Sequence, residues 1–443
     1  MAQFPKDFVW GASTCAYQIE GAAQEDGRGE TIWDRFSHTP GRIKDGSNGD
    51  VACDHYHRYR DDVKLMRQLN HNGYRGSIAW ARIFPTGSGA PNPAGVDFYK
   101  RLVDSLLEAG ITPFFTLYHW DLPQVLQDQG GWANRETALR FVDYARYITG
   151  QLGDRVKHWI THNEPWCTTF LSTYLDIHAP GGKDLKLTLQ NAHHVLLSHG
   201  LTVPAIREVV PGAVIGMAPN YVPAYAVTDN PKDVAAAHRF DGFFNRWFID
   251  PLAGRGYPPD MWEYYGANVP QITPGDMDII AAPLDFLGLN YYDRAYVVDD
   301  PTSTHVPHTR GVPSSQEWRT ADRDVYPDGL YDMLRRVYLD YNFPALYITE
   351  NGAAFSDEIS ADGAVHDADR VEFLQAHFNQ AARAIDTGIP LKGYFVWSLL
   401  DNFEWSQGYT LRYGITYIDY ATQRRIVKDS GLWYRDFISQ NRA

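Results

Sequence analysis

Short apolar runs with β-branched or aromatic residues recur along the chain at 8–12, 73–80, 111–120, 156–164, 213–220, 285–292, 345–350 and 391–400, several of them apolar nearly throughout. Runs of this length without polar alternation predict strands buried on both faces. Between them the period changes. In 54–70 the residues Tyr56, Tyr59, Val63 and Met66 recur at spacings of three and four, one stripe of a helix. Segment 96–109 repeats the pattern with Phe98, Leu102 and Leu106 and stops at Gly110, a residue suited to a left-handed C-cap. Segment 369–387 carries Val371, Leu374, Phe378, Ala381 and Ile385, then stops at Gly388 and Pro390. Strand and helix alternating eight times predict an α/β fold, a single (β/α)8 TIM barrel over 1–443 with long loops at the C-terminal face of the strands. A doubly wound open sheet would carry a glycine-rich phosphate turn after its first strand, and Gly11-Ala12-Ser13-Thr14 lacks that spacing. The Pro/Thr/His-rich stretch 299–315 reads as a long surface loop.

Charge narrows the possible partners. Lys plus Arg is 40 and Asp plus Glu is 54, a formal net charge of −14. Nucleic acid and anionic membrane both demand a basic surface, so neither is expected as partner. No apolar run is long enough to span a bilayer. The start, Met1-Ala2-Gln3-Phe4-Pro5-Lys6-Asp7, lacks the charged and apolar regions of a signal peptide. Cys15, Cys53 and Cys167 are odd in number and far apart, which suits no disulfide framework and a reduced, cytoplasmic protein. Aromatic residues make up 14% of the chain, as expected for a large core or for a flat apolar ligand such as a sugar.

In a barrel, polar residues at the C-terminal strand ends point at the active site. Here those ends read His119-Trp120-Asp121, Asn163-Glu164-Pro165, Asn290-Tyr291-Tyr292, Glu350-Asn351-Gly352 and Trp397. Glu164 and Glu350 close the fourth and seventh strands, nearly opposite each other, so two carboxylates can converge over the barrel mouth. Glycoside hydrolysis needs such a pair, one acid for the leaving oxygen and one group for the anomeric carbon. Repulsion between close carboxylates also raises one pKa and keeps an acid protonated near neutrality. The plainer reading is that each glutamate caps its strand. His55-x-His57 resembles a metal-binding pair, but residues two apart on a helix do not share a face, so no metal is expected. His193-His194 reads as an ordinary helical pair.

Thr161-His162-Asn163-Glu164-Pro165 and Ile348-Thr349-Glu350-Asn351-Gly352 resemble the two catalytic signatures of the family 1 glycoside hydrolases, the β-glucosidases. The resemblance runs from Phe8-Val9-Trp10-Gly11-Ala12 and Tyr17-Gln18-Ile19-Glu20-Gly21 through Tyr118-His119-Trp120-Asp121-Leu122-Pro123 and Gly288-Leu289-Asn290-Tyr291-Tyr292 to Asp401-Asn402-Phe403-Glu404-Trp405. It implies hydrolysis of terminal, non-reducing β-D-glucosides with retention of configuration, without cofactor or metal. Glu164 would be the acid/base and Glu350 the nucleophile, with their carboxylates about 5 Å apart. Arg75 and Tyr292 match residues that contact the nucleophile, and an arginine there favours its ionised form. Gln18, His119, Asn163 and Glu404 match groups that hold the sugar hydroxyls, with Asn163 on the 2-hydroxyl. Trp397 and Trp405 match an aromatic floor and wall, and Trp120 and Asn290, from the same motifs, complete the substrate-binding set. The implied partner is a small-molecule β-glucoside or short β-linked oligosaccharide, in carbohydrate metabolism and cellulose degradation. β-Galactosidase or β-fucosidase side activity is expected. The oligomeric state is not legible.

The departures from that pattern matter as well. Gly76 stands where the family carries phenylalanine, which predicts a void beside Arg75 and a gain in thermal stability for Gly76→Phe. His162 replaces an aliphatic residue and reads as a wall histidine or as a modifier of the acid. Arg323 stands at a tryptophan position of the leaving-group site, so cellobiose is not inferred as the natural substrate. A 6-phospho-β-glucosidase is the alternative, but Glu404 would repel a phosphate and Leu411 occupies the expected lysine place, although Tyr413 resembles that branch. A catalytically silent sugar-binding relative would lack one or both glutamates.

Overall fold

The computed structural model describes residues 4–313, 319–321 and 323–442. Eight parallel strands close into a barrel in sequence order: β1 (Val9–Ser13), β2 (Gly73–Ser77), β3 (Thr112–Tyr118), β4 (His158–Asn163), β5 (Val214–Ala218), β6 (Phe286–Asn290), β7 (Leu346–Asn351) and β8 (Leu391–Trp397), which pairs with β1. Each overlaps one of the eight apolar runs, with β1 and β7 extending one residue beyond theirs, to Ser13 and Asn351. Helices return the chain between strands, among them His55–Gln68, Pro93–Glu108, Arg135–Leu152, Leu185–Val209, Pro327–Asp340 and Ala368–Asp386. The stripe Tyr56, Tyr59, Val63 and Met66 is buried, as its spacing predicts. Gly110 and Gly388 follow their helices at φ +73° and +87°, conformations that a Cβ would strain. None of the described helices is long and apolar enough to cross a membrane.

The barrel interior is aromatic. Phe114, Ile160, Ala218, Phe286, Tyr347 and Phe395 form one buried cluster drawn from β3 to β8. Glycines make room for it, because a Cβ on Gly216 would lie 2.5 Å from the Phe286 ring. This plug closes the lower barrel and leaves polar strand ends to form a floor above it.

Three sequence expectations need correction or refinement. The stretch 299–315 is not simply a loop: Ala295–Asp299 pairs antiparallel with Thr309–Gly311, and Ala224–Ala226 completes a three-stranded sheet. The strands are short and the connection rich in proline, so composition masked them; Ser314 and Ser315 lie outside the described residues. Nor is there a void at Gly76. The Tyr74 ring covers it, 2.9 Å from where a Cβ would stand, and its hydroxyl is 2.5 Å from Thr14 Oγ1. His162 is a buried wall residue, hydrogen-bonded through Nε2 to Ser198 Oγ at 2.8 Å and packed on Phe141 at 4.6 Å. Burial holds it neutral. His55 Nδ1 meets the buried Asp62 while His57 Nδ1 meets Asp54 at the surface, so the two imidazoles point apart.

Candidate active site

The polar strand ends surround a cavity of about 550 Å³ lined by Glu164, Glu350, His119, Trp120, Asn290, Tyr292, Trp397, Glu404 and Trp405 among others. Pairing irregularities sit where the glutamates emerge: β4 shifts register against β5 between Ile160 and Asn163, and β7 against β6 between Ile348 and Glu350. Such irregularities re-aim side chains at a strand end. Glu164, just past β4, has φ +44°, and Trp120 and Trp405 have +76° and +50°. Each left-handed non-glycine residue costs about 1–3 kcal/mol, so the surrounding packing fixes all three side chains.

A continuous hydrogen-bond network joins the two carboxylates. Arg75 Nη1 donates to Glu350 Oε1 at 2.5 Å and Nη2 to Asn163 Oδ1 at 2.6 Å. The Tyr292 hydroxyl donates to Glu350 Oε2 at 2.7 Å. Thr349 donates to Asn290 Oδ1, and Asn290 Nδ2 reaches Asn163 Oδ1 at 2.9 Å and Glu164 Oε1 at 2.8 Å. Asn163 Nδ2 also approaches His119 Nε2 at 2.9 Å. Trp120 Nε1 donates to the Asn163 carbonyl, which pins its ring.

The environments of the two glutamates differ in kind. Glu350 is held by a guanidinium and a phenol. Glu164 has one amide donor, and burial first, then the Glu350 charge, push its carboxyl up to about 7; Asn290, Cys167 and Arg75 pull the other way. Burial and the Glu350 charge also keep the Tyr292 phenol protonated, so it remains a donor. His119 is held neutral by burial and by Arg75. One carboxyl poised to carry a proton faces one held by a guanidinium and a phenol, an asymmetry that acid-assisted displacement at an acetal can use.

Not every expected residue reaches the cavity surface. Gln18, Arg75 and Asn163 are fully buried, one layer behind the lining. Gln18 Nε2 donates to Asn402 Oδ1 at 2.8 Å and to the Phe403 carbonyl at 2.9 Å, steadying the turn that presents Glu404. Trp405 packs on Trp33 and Trp120 at 4.5 and 4.6 Å, so it belongs to the core and to the cavity wall at once. Arg323 lines the cavity with its guanidinium over the Tyr292 ring at 4.9 Å. Sequence reasoning passed over Trp166, Cys167, Asn220, Tyr221, Phe244 and Arg294, which also line it. Asn220 carried a legible signal, since it ends the fifth apolar run; the others lie on loops and helical turns that no strand-end rule reaches.

Comparison with known proteins places these features in context. The sequence profile of glycosyl hydrolase family 1 matches residues 1–443. The chain is 47% identical over 441 residues to β-glucosidase A of Acetivibrio thermocellus, covering 99% of this chain and 98% of that one. It is 44% identical to a bifunctional β-D-glucosidase/β-D-fucosidase of Bifidobacterium breve, with 99% of each covered. Among solved structures, a β-glucosidase from Thermotoga maritima in complex with glucoimidazole superposes with a TM-score of 0.97 at 45% identity, covering all of both chains.

Proposed function

The chain belongs to glycosyl hydrolase family 1, and on that premise we propose how its residues carry out the retaining β-glucosidase reaction. The 443 residues act as one (β/α)8 domain. Glu350 is the nucleophile and Glu164 the acid/base. In the first step Glu350 attacks the anomeric carbon while Glu164 gives its proton to the glycosidic oxygen, releasing the aglycone and leaving a glycosyl ester on Glu350. In the second, Glu164 takes a proton from water, whose oxygen displaces Glu350 from the same carbon. Two inversions give retention. The observation that carries this reading is the asymmetry of the pair, with Glu350 clamped by Arg75 and Tyr292 and Glu164 raised by burial and by the Glu350 charge. Esterification of Glu350 removes that charge, so the pKa of Glu164 falls and its carboxyl is ionised when it must act as base.

The sugar is assigned to the Trp397 and Trp405 faces, with His119, Asn290 and Glu404 on its hydroxyls and Trp120 beside them. Gln18 and Asn163 act from behind the wall or through small movements of it. Small β-glucosides and short β-linked gluco-oligosaccharides are the substrates in this reading, with β-fucosides as a side activity and the cytoplasm as location, since all three cysteines are free thiols. Glu404 at the cavity, with Leu411 beside it, disfavours a 6-phosphate. The test is the mass of the intact protein after an activated 2-deoxy-2-fluoro-β-glucoside, followed by peptide mapping. An adduct on Glu350 is expected; an adduct elsewhere, or none with either the glucosyl or the galactosyl reagent, would overturn the assignment.

A further inference from the structure

The two ends of the cavity differ in chemistry. The groups assigned to the sugar, among them His119, Trp397, Glu404 and Trp405, stand at the ends of β3 and β8 or just after them. The other end is built by segments that follow β4, β5 and β6. Trp166 comes two residues after Glu164, and Phe240 and Phe244 belong to the helical segment between β5 and β6. Their rings form a row. Trp166 meets Phe244 at 4.3 Å with 30° between the planes, and Phe244 stacks on Phe240 at 5.7 Å and 7°. Leu171 after β4 and Val222 after β5 extend the same apolar lining. A phenylalanine ring offers no hydrogen bond, so this row suits a flat apolar group, whereas a second sugar would bring hydroxyls that need partners.

The connection between β6 and β7 adds two guanidiniums to this end. Arg294 lies over the Tyr326 and Tyr296 rings at 3.5 and 4.2 Å, and Arg323 lies over the Tyr292 ring at 4.9 Å. Both line the cavity. A cation held over a ring has already given up much of its freedom, so less is lost when a ligand arrives. The donors of each guanidinium lie in one plane, a geometry that meets a carboxylate in pairs. Among the described residues of this connection, Asp293 is the one acid in the lining, against two cations. The rest of the molecule has the opposite bias, with a net charge of −14 and with Glu164, Glu350 and Glu404 around the sugar end. Arg323 also stands close to the chemistry. The ring beneath it carries the hydroxyl that donates to Glu350 at 2.7 Å, so one tyrosine ring separates the guanidinium from the reacting carboxylate.

We propose that Arg323, supported by Arg294, is a specificity-determining residue for a leaving group that is a flat aromatic ring bearing a carboxylate. The ring lies along Trp166, Phe244 and Phe240, and its carboxylate pairs with the Arg323 guanidinium. The substrate class is the β-glucosides of phenolic acids. A carboxylate on the far side of the ring from the glycosidic oxygen is directed away from Glu350 and Glu404, which would repel it at the sugar end. The ion pair forms in the bound substrate and persists in the transition state, so it acts mainly on KM.

The inference rests on the β-glucosidase reading, and the test separates the two. The kcat/KM values of 4-carboxyphenyl β-glucoside and of its methyl ester are measured near neutral pH for the parent, Arg323→Gln, Arg323→Lys and Arg294→Gln. The ratio of acid to ester is taken for each enzyme and compared between enzymes, which cancels the different leaving abilities of the two phenols. In Arg323→Gln the ratio is expected to fall about tenfold or more, chiefly through KM of the acid. Arg323→Lys keeps the charge without the planar fork and is expected to lose less, as is Arg294→Gln. Added sodium chloride is expected to lower the ratio more in the parent than in Arg323→Gln. A ratio equal to the parent's in both glutamine variants would overturn the proposal. So would equal losses on acid and ester, the result of a merely structural role. If the parent turns over neither substrate and the fluoroglucoside leaves Glu350 unlabelled, the β-glucosidase reading itself fails and the inference with it.

Discussion

At the scale of single residues, the two carboxyls differ because their neighbours differ. Glu350 receives a guanidinium and a phenol, so Arg75→Met is expected to lower kcat/KM on aryl glucosides at least a hundredfold with the fold retained, measured at the parental optimum; a change under tenfold would mean that the anion needs no such clamp. The folded value of about 7 for Glu164 implies a basic limb of kcat/KM near neutrality, because the acid is lost as pH rises through that value. That limb is expected to vanish in Glu164→Gln. Gly76 shows the opposite case, where sequence comparison misleads. The space left by an absent ring is filled by Tyr74, which is buried and bonded to Thr14. Gly76→Phe is therefore expected to lower Tm, by an overpacking penalty of about 1–3 kcal/mol; a higher Tm would mean that Tyr74 swings aside at no cost.

At the scale of elements, the loop after β8 presents Asn402, Glu404 and Trp405, and it hangs on a buried ionic network. Lys428 Nζ donates to Asp401 Oδ1 at 2.8 Å and to Asp357 Oδ2 at 2.5 Å. Arg412 holds the other oxygen of Asp401, and Arg370 holds Asp357 and Asp367. Lys428 is fully buried, and burial pulls its pKa down while both aspartates push it up. Removing one member strands the others: Lys428→Met is expected to cost about 3–5 kcal/mol. It should also raise KM more than it changes kcat, since in the proposed assignment the affected loop contacts the sugar and carries neither of the two carboxyls that act on the bond. Chemical denaturation and steady-state kinetics measure the two effects. Loss of stability with KM unchanged would separate the network from the site.

At the scale of the whole molecule, acid stability follows from buried imidazoles. His71, His178 and His199 fall to about 3 and His158 and His377 to about 4, each below the ordinary 6.5, through burial. The unfolded chain binds these protons first, so the stability they contribute is full above about 6.5 and drains as pH falls toward 4. Glu164 and Asp121, both raised to about 7, act in the opposite sense but are fewer. Tm is expected to decline from about pH 6.5 downward, before ordinary carboxylates titrate; a flat Tm down to about pH 5 would refute it. Paired aspartates such as Asp62 and Asp241, held below 3.8 by His55 and Arg425 or by Arg336, add their loss only at lower pH.

The sequence by itself determined the barrel, because runs with strand character alternate eight times with helical stripes, and each run carries one barrel strand. It also placed Glu164 and Glu350 at the C-terminal ends of the fourth and seventh strands, the end where a parallel barrel gathers its site residues. Tertiary structure alone decided the rest. Local period says nothing about register irregularities or left-handed backbone, yet these aim Glu164 and Trp405. Nor does it say which donor reaches which carboxylate, so the different surroundings of the two glutamates and the approach of Asn220 to Cys167 emerge only when strands far apart in sequence meet. Space is likewise a property of the packed chain, and the Tyr74 ring over Gly76 could not be read from either residue type.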